Sequence, residues 1–319
     1  MTWMKIKTAI VVAATVATVF ISQARGDTTN PPSATSASAP SAADAGSTNG
    51  IPPAPQSVPA PAPGDDAVTA DTIISTAKTT YAALQSYSDT GTAISQMGAV
   101  SLTTNFNIRL QRPALYRIDW QGSMSGNTGM PANTGVTWSD STGDFLQYAG
   151  LAAQKQPSRE LALGGATGIS AGAAAHIPGT FFNDNWGGQL NGEYQRKKDE
   201  TVAGADCYVV GKTITRNGRT MTTTLWIGKQ DNLIHQLKIS MEGLSSMPSI
   251  DDAGLKSILT SQNKPVTPEA MAALKKELTD AQEKAAEMLK SGKIEFIESH
   301  TGIVTNKTFA PADFKPQTN

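Results

Sequence analysis

Between Asp71 and Ser86, the apolar residues Ile73, Ala77, Tyr81 and Leu84 recur at helical spacing, and Asp71 stands where an N-cap belongs. The period then changes to two. Leu102, Thr104, Phe106, Ile108 and Leu110 alternate with Ser101, Thr103, Asn105, Asn107 and Arg109, the pattern of a strand with one buried face. Arg112-Pro113 ends that strand, and Tyr116, Ile118 and Trp120 alternate on the next. Residues 136–138 and 145–148 predict two more, turning through Asp140-Ser141-Thr142-Gly143.

The clearest run covers residues 193–242. Ala203-Gly204-Ala205-Asp206, Asn217-Gly218 and Lys229-Gln230-Asp231-Asn232 read as turns; Asn-Gly tolerates the positive φ that a tight hairpin demands. Between the turns lie alternating strands, such as Leu233, His235, Leu237, Ile239 and Met241. Four consecutive antiparallel strands follow. The pattern is a meander, not a parallel α/β sheet.

Two segments interrupt the sheet. Residues 158–182 are rich in Ala and Gly, which allows short helices packed closely on a neighbour. Residues 249–292 form a helical insert, with Thr267 and Pro268 at a helix start and Gly292 after its end. Met271, Leu274, Leu278, Ala281, Ala285 and Met288 make one apolar stripe opposite a charged face. That stripe predicts a helix docked on its own domain, or a movable lid over a half-open sheet. Sheet resumes over 292–299 and 302–309.

The chain ends carry different information. Lys5 and Lys7 precede an apolar or small-residue core over 9–21, with small-residue cleavage sites beyond it, so residues 1–26 predict a secretory signal peptide. The stretch is shorter than the roughly 20 apolar residues of a membrane span, so no transmembrane span is expected after cleavage. Residues 27–66 are mostly Pro, Ala, Ser, Thr and Gly and predict a disordered tether. The folded domain is then 67–319, with the insert at 249–292. The expected location is the periplasm of a bacterium, or its exterior.

Charge adds little. Lys and Arg number 26 against 27 Asp and Glu, and this balance offers no nucleic-acid surface. Cys207 is the only cysteine, which excludes an internal disulfide and leaves stability to a conventional core.

In this order, the helix, the long meander and the covering helices resemble the LolA-like periplasmic lipoprotein carriers and the DUF2092-type bacterial proteins similar to them. The resemblance is carried by 81–91, by Gln111-Arg112-Pro113-Ala114-Leu115-Tyr116-Arg117-Ile118-Asp119-Trp120, by 202–210, by Leu225-Trp226-Ile227-Gly228-Lys229 and by 306–314. It implies an α+β, mainly β fold: a strongly curved antiparallel sheet, or half-barrel, with an N-terminal helix and helices covering the concave face. It also implies acyl-chain binding between sheet and lid, with Arg112 holding the lid shut. The insert and the tether depart from those carriers and put lipoprotein transport itself in doubt.

On the residues themselves, Phe106, Ile108, Trp120, Trp138, Trp226, Leu237 and Ile239 are the candidate lining of an apolar cavity; they are equally suited to filling a core. Gly168-Ile169-Ser170-Ala171-Gly172 matches the G-x-S-x-G nucleophile elbow, but that motif needs a preceding parallel strand, which the meander does not supply. His176, His235 and His300 lie in different elements, none at metal-ligand spacing. The expectation is therefore a non-enzymatic protein without catalytic residues, cofactor or metal. It would bind a lipid, lipoprotein acyl chain or other apolar ligand. The alternative is an envelope structural or interaction module with protein partners and no cavity.

Overall fold

The computed structural model describes residues 68–98, 100–125, 133–184, 188–216, 218–243, 251–261, 264–288 and 293–316. The expected signal peptide and tether lie outside them. Helix α1 (Ala70–Ala83) opens the domain and buries Ile73, Ile74, Ala77 and Tyr81. Its cap is Thr69, whose hydroxyl accepts from the Thr72 amide at 3.2 Å, so Asp71 sits in the first turn and is not the cap.

Among the described residues, eleven antiparallel strands make one open, curved sheet. They are β1 (Ser86–Met97), β2 (Val100–Gln111), β3 (Leu115–Ser125), β4 (Asn133–Asp140), β5 (Gly143–Tyr148), β6 (Gln154–Gln156), β7 (Gln195–Val202), β8 (Ala205–Arg216), β9 (Arg219–Gly228), β10 (Ile234–Glu242) and β11 (Lys293–Thr305). The spatial order is β6-β5-β4-β3-β2-β1-β11-β10-β9-β8-β7. Two meanders therefore grow outward from a central seam. At that seam β1 pairs with β11, and Ala93 stands opposite Glu298.

Strand β1 has no counterpart in the apolar pattern of the sequence, yet it is the middle of the sheet. The predicted four-strand run is β7–β10. Its β8–β9 turn joins Arg216 to Arg219, with Gly218 at φ 72; Asn217 lies outside the described residues. The two sheet segments expected over 292–309 are one strand, β11, with Gly302 at φ 61 where the register with β1 shifts.

One face of the sheet is covered by α1, by α2 (Arg159–Thr167) and by α3 (His176–Phe182), and these share one core with the inward positions of the strands. Ser158 caps α2. Between α2 and α3 the chain turns through Ala171 at φ 53 and Gly172 at φ 99, then enters α3, which ends on Asn183 in the left-handed region. The opposite face holds a short 3₁₀ turn (Pro311–Phe314), anchored where Arg109 donates to the Asp313 carbonyl at 3.0 Å.

The insert forms two helices, α4 (Asp252–Ser261) and α5 (Pro268–Met288). The described part of its stripe is used internally. Leu274 and Leu278 bury against Leu255 and Leu259 in a cluster separate from the main core. The stripe, expected to dock on its own domain or to form a movable lid, meets the apolar surface of α4 within the same insert. The helices that cover the concave face are α1 to α3. No helix among the described residues is long and apolar enough to cross a membrane.

Candidate functional site: a buried acid–base chain beneath a small-residue plug

On β11 the inward positions are Ile294, Phe296, Glu298 and His300, all nearly inaccessible. Two charged groups thus occupy the continuation of an apolar alternation. Across the seam, β1 presents Asp89, Gly91, Ala93 and Ser95, all small or short. Gly91 stands between Phe106 on β2 and His300 on β11. A Cβ there would lie 2.2 Å from Phe106 Cζ and 2.2 Å from the Ser299 carbonyl oxygen, so only glycine lets the Phe106 ring lie across the seam. The Phe106 and His300 rings then meet with centroids 5.4 Å apart.

His300 is hydrogen-bonded at Nδ1 and meets Glu298 at Nε2 as an ion pair without hydrogen-bond geometry. Its Nδ1 lies 2.6 Å from Asp89 Oδ2 and its Nε2 3.2 Å from Glu298 Oε1. Tyr87 donates its hydroxyl to the same Asp89 oxygen at 2.7 Å. The other oxygen of Glu298 lies 2.6 Å from His176 Nδ1, at the start of α3. The chain therefore runs Tyr87–Asp89–His300–Glu298–His176, from the sheet into the covering segment. Exposure is 3 % for Asp89 and 1 % each for Glu298 and His300.

Such burial by itself would strip the imidazolium of its proton, but Asp89 and Glu298 more than reverse it and raise the His300 pKa to about 10. Burial would likewise protonate Glu298; His176 and His300 overcome that and hold it at about 2. The Tyr87 hydroxyl is pushed up by burial and by Asp89. His300 is thus a buried cation between two carboxylates. Among the described residues, no three His, Cys, Asp or Glu side chains are arranged to hold a metal ion.

Above this chain, 158–182 acts as a plug. Ala162, Leu163, Ala166, Ala173, Ala174, Ile177 and Phe181 have no exposed surface. Polar ties fix its ends and middle. Asn133 donates to the Ile169 carbonyl at 2.7 Å, Tyr148 to the Gly165 carbonyl at 3.0 Å, and Arg159 pairs with Asp184 at 2.7 Å. Arg112 donates to the carbonyls of Leu84 (2.8 Å) and Tyr81 (3.2 Å) at the end of α1, and to that of Phe181 (2.6 Å) in α3. Its guanidinium also lies over the Phe181 ring, 4.7 Å from the centroid. One side chain thus ties two of the covering helices, α1 and α3, together.

Of the candidate lining residues, Phe106, Ile108, Trp120, Leu237 and Ile239 come together in the core beneath the plug. Trp138 and Trp226 do not. Trp138 stands opposite Arg117 on the uncovered face and stacks on Phe145, with centroids 5.1 Å apart. Trp226 lies with Cys207 and Val209 in a separate cluster and donates its indole N–H to Glu200 at 2.8 Å. The period-two alternation separates them, because Leu225 and Ile227 occupy the inward positions on either side of Trp226.

An open groove of about 740 Å³ also lies on the uncovered face, bordered by Asn105, Asn107, Arg117, Asp119 and Gln147. Its charge is internally satisfied, since Arg117 clasps Asp119 with three hydrogen bonds of 2.7–3.1 Å. Ser170 is engaged within its own turn, its hydroxyl bonding the Thr167 carbonyl and accepting from the Ala174 amide. His235 pairs with Asp231 at 2.9 Å.

The acid–base chain escaped the sequence reading because His176 and Glu298 are 122 positions apart. Its visible trace was Glu298 and His300 at the inward positions that follow Ile294 and Phe296.

No protein-family profile matches the chain, and no curated protein matches it. Among solved structures, it is similar to a DUF1329 family protein from Desulfovibrio piger: 12% identity, 77% of this chain and 96% of that one covered, TM-score 0.29. It is also similar to an outer membrane lipoprotein-sorting protein domain from Vibrio parahaemolyticus: 11% identity, 76% and 94% covered, TM-score 0.27. At these values the likeness adds nothing to the architecture that the strand order already defines.

Proposed function

We propose that this is a non-enzymatic, exported binding protein of the bacterial envelope. It takes a lipid, a lipoprotein acyl chain or another apolar ligand between the curved sheet and the 158–182 plug. The observation that carries this reading is the composition of the plug's centre. Of the six buried apolar side chains between 166 and 175, five are alanines (166, 171, 173, 174 and 175) and one is Ile169.

An alanine methyl removes little apolar area from water, whereas each methylene of a buried hydrocarbon chain contributes about 0.8 kcal/mol. Ten methylenes laid on Phe106, Trp120, Leu237 and Phe296 would contribute about 8 kcal/mol, which can offset the loss of the contacts made by these six central side chains. The plug is also held by directional ties, Arg112 to Phe181 and His176 to Glu298, which can be broken and remade as a latch. The resemblance to LolA-like carriers gives Arg112 that lid-holding role, and the charge-then-apolar order of 1–26 supports export.

The test is native mass spectrometry of protein purified from its own host, with titration of the neutral fluorophore diphenylhexatriene. A co-purifying lipid and saturable fluorescence gain are expected. Absence of both would sink the reading. It would favour an interaction module without a cavity, which the close packing beneath the plug supports.

A further inference from the structure

When the plug lifts, His176 leaves Glu298. What remains on the floor is Asp89, His300 and Glu298, one cation between two carboxylates. Charged groups facing this floor come from β1 (Asp89), β11 (Glu298, His300) and α3 (His176). From β2 the facing residues are Thr104 and Phe106, from β10 Leu237 and Ile239, and the Tyr81 hydroxyl oxygen of α1 accepts from the Ile234 amide at 3.2 Å. Among the described residues no Lys or Arg is buried. The sheet therefore holds no cation besides His300, and with His176 gone Glu298 Oε2 is a buried carboxylate oxygen without its hydrogen-bond partner, which is disfavoured.

A second observation points the same way. Asp89 Oδ1 and Thr104 Oγ1 are buried and have no hydrogen-bond partner. Thr104 stands opposite Ala93, and Ala93 opposite Glu298, on adjoining strands. Both atoms can accept a hydrogen. The floor thus combines surplus negative charge with unused acceptors, while hydrocarbon-compatible side chains surround it.

We propose that the apolar ligand carries a primary ammonium or similar cationic hydrogen-bond donor at its polar end, which sits on Glu298 in the place of the His176 imidazole. This rests on the reading of the plug as displaceable. An anionic head such as a fatty-acid carboxylate would face two carboxylates and is selected against. His176 is then an internal competitor of the ligand head, so closing the plug and releasing the ligand are one exchange at one oxygen.

The test is isothermal titration of the full mature chain, below micellar concentration, with dodecylammonium, dodecyltrimethylammonium, dodecanol and dodecanoate. Dodecylammonium is expected to bind at least about tenfold tighter than dodecanoate, with the trimethyl compound weaker because it has charge but no donor. Glu298→Gln should remove that preference. His176→Ala should instead tighten dodecylammonium, and the comparison of the four ligands on the unaltered chain keeps the proposal testable where a variant folds poorly. Equal binding of all four, or preference for dodecanoate, would overturn the head-group assignment while leaving apolar binding intact. No binding of any would overturn both.

Discussion

His176 Nδ1 lies 2.6 Å from Glu298 Oε2, a contact that links the first residue of a covering helix to an inward position of a strand at the central seam. It anchors the segment around Gly172, whose amide bonds the Thr167 carbonyl and whose absent Cβ would fall 2.6 Å from the His176 ring. In His176→Ala the carboxylate loses this partner in a dry site, and the domain should lose about 3–5 kcal/mol. Hydrogen exchange of the amides of 172–176 should accelerate more than that of β8–β9. Glu298→Gln, which removes the charge but keeps an acceptor, should cost less. Uniform acceleration across the domain would contradict the latch.

The pH dependence has two limbs of opposite sign. The His300 pKa is raised from 6.5 to about 10, so its contribution is full below 6.5 and is lost as pH rises towards 10. That of Glu298 is lowered from 4.5 to about 2, so its contribution is full above 4.5 and is lost as pH falls towards 2. The cluster is therefore most stabilising between pH 4.5 and 6.5. Melting temperature followed across pH should fall on both sides of that plateau. His300→Gln should flatten the alkaline limb; an alkaline limb unchanged in that variant would remove His300 as its cause.

Gly91 gives a sharper steric prediction. Gly91→Ala collides with the Phe106 ring and with the Ser299 backbone carbonyl. Truncating Phe106 relieves only the first collision. Gly91→Ala should thus destabilise by at least about 1–3 kcal/mol, and adding Phe106→Leu should not restore the loss. Urea unfolding of the single and double variants measures this directly. Full rescue by Phe106→Leu would show that the backbone contact yields.

The strands on either side of β1, apart from the three-residue edge strand β6, are legible because period-two alternation survives wherever one face is buried against large side chains. Phe106, Ile108, Trp120, Leu237 and Ile239 share one face for that reason. Strand β1 was not legible. Its inward positions are Asp89, Gly91, Ala93 and Ser95, kept small or short so that neighbours such as Phe106 and His300 can reach across, and small residues leave no hydropathy signal. Trp138 and Trp226 fall on the other face, because each alternates with inward neighbours, Thr137 beside Trp138 and Leu225 beside Trp226. The site was hidden for a third reason: its members converge only through the pairing of the first strand with the last. Nothing local in the sequence encodes that pairing.

The insert yields the last prediction. Strands β10 and β11 pair antiparallel up to Glu242 opposite Lys293, so the chain between them interrupts what would otherwise be a hairpin. The insert's buried leucines, 255, 259, 274 and 278, satisfy one another in a core of their own. Replacing 243–292 by a two-residue Asn-Gly turn supplies the positive φ that a tight hairpin requires and closes a shorter loop at lower entropic cost. The shortened domain should keep its β-sheet circular dichroism and a melting temperature within about 5 °C of the parent, a shift of roughly 1–2 kcal/mol. Diphenylhexatriene uptake should persist, because α1 to α3 and not the insert cover the concave face. Loss of uptake with an intact fold would instead make the insert part of the lid.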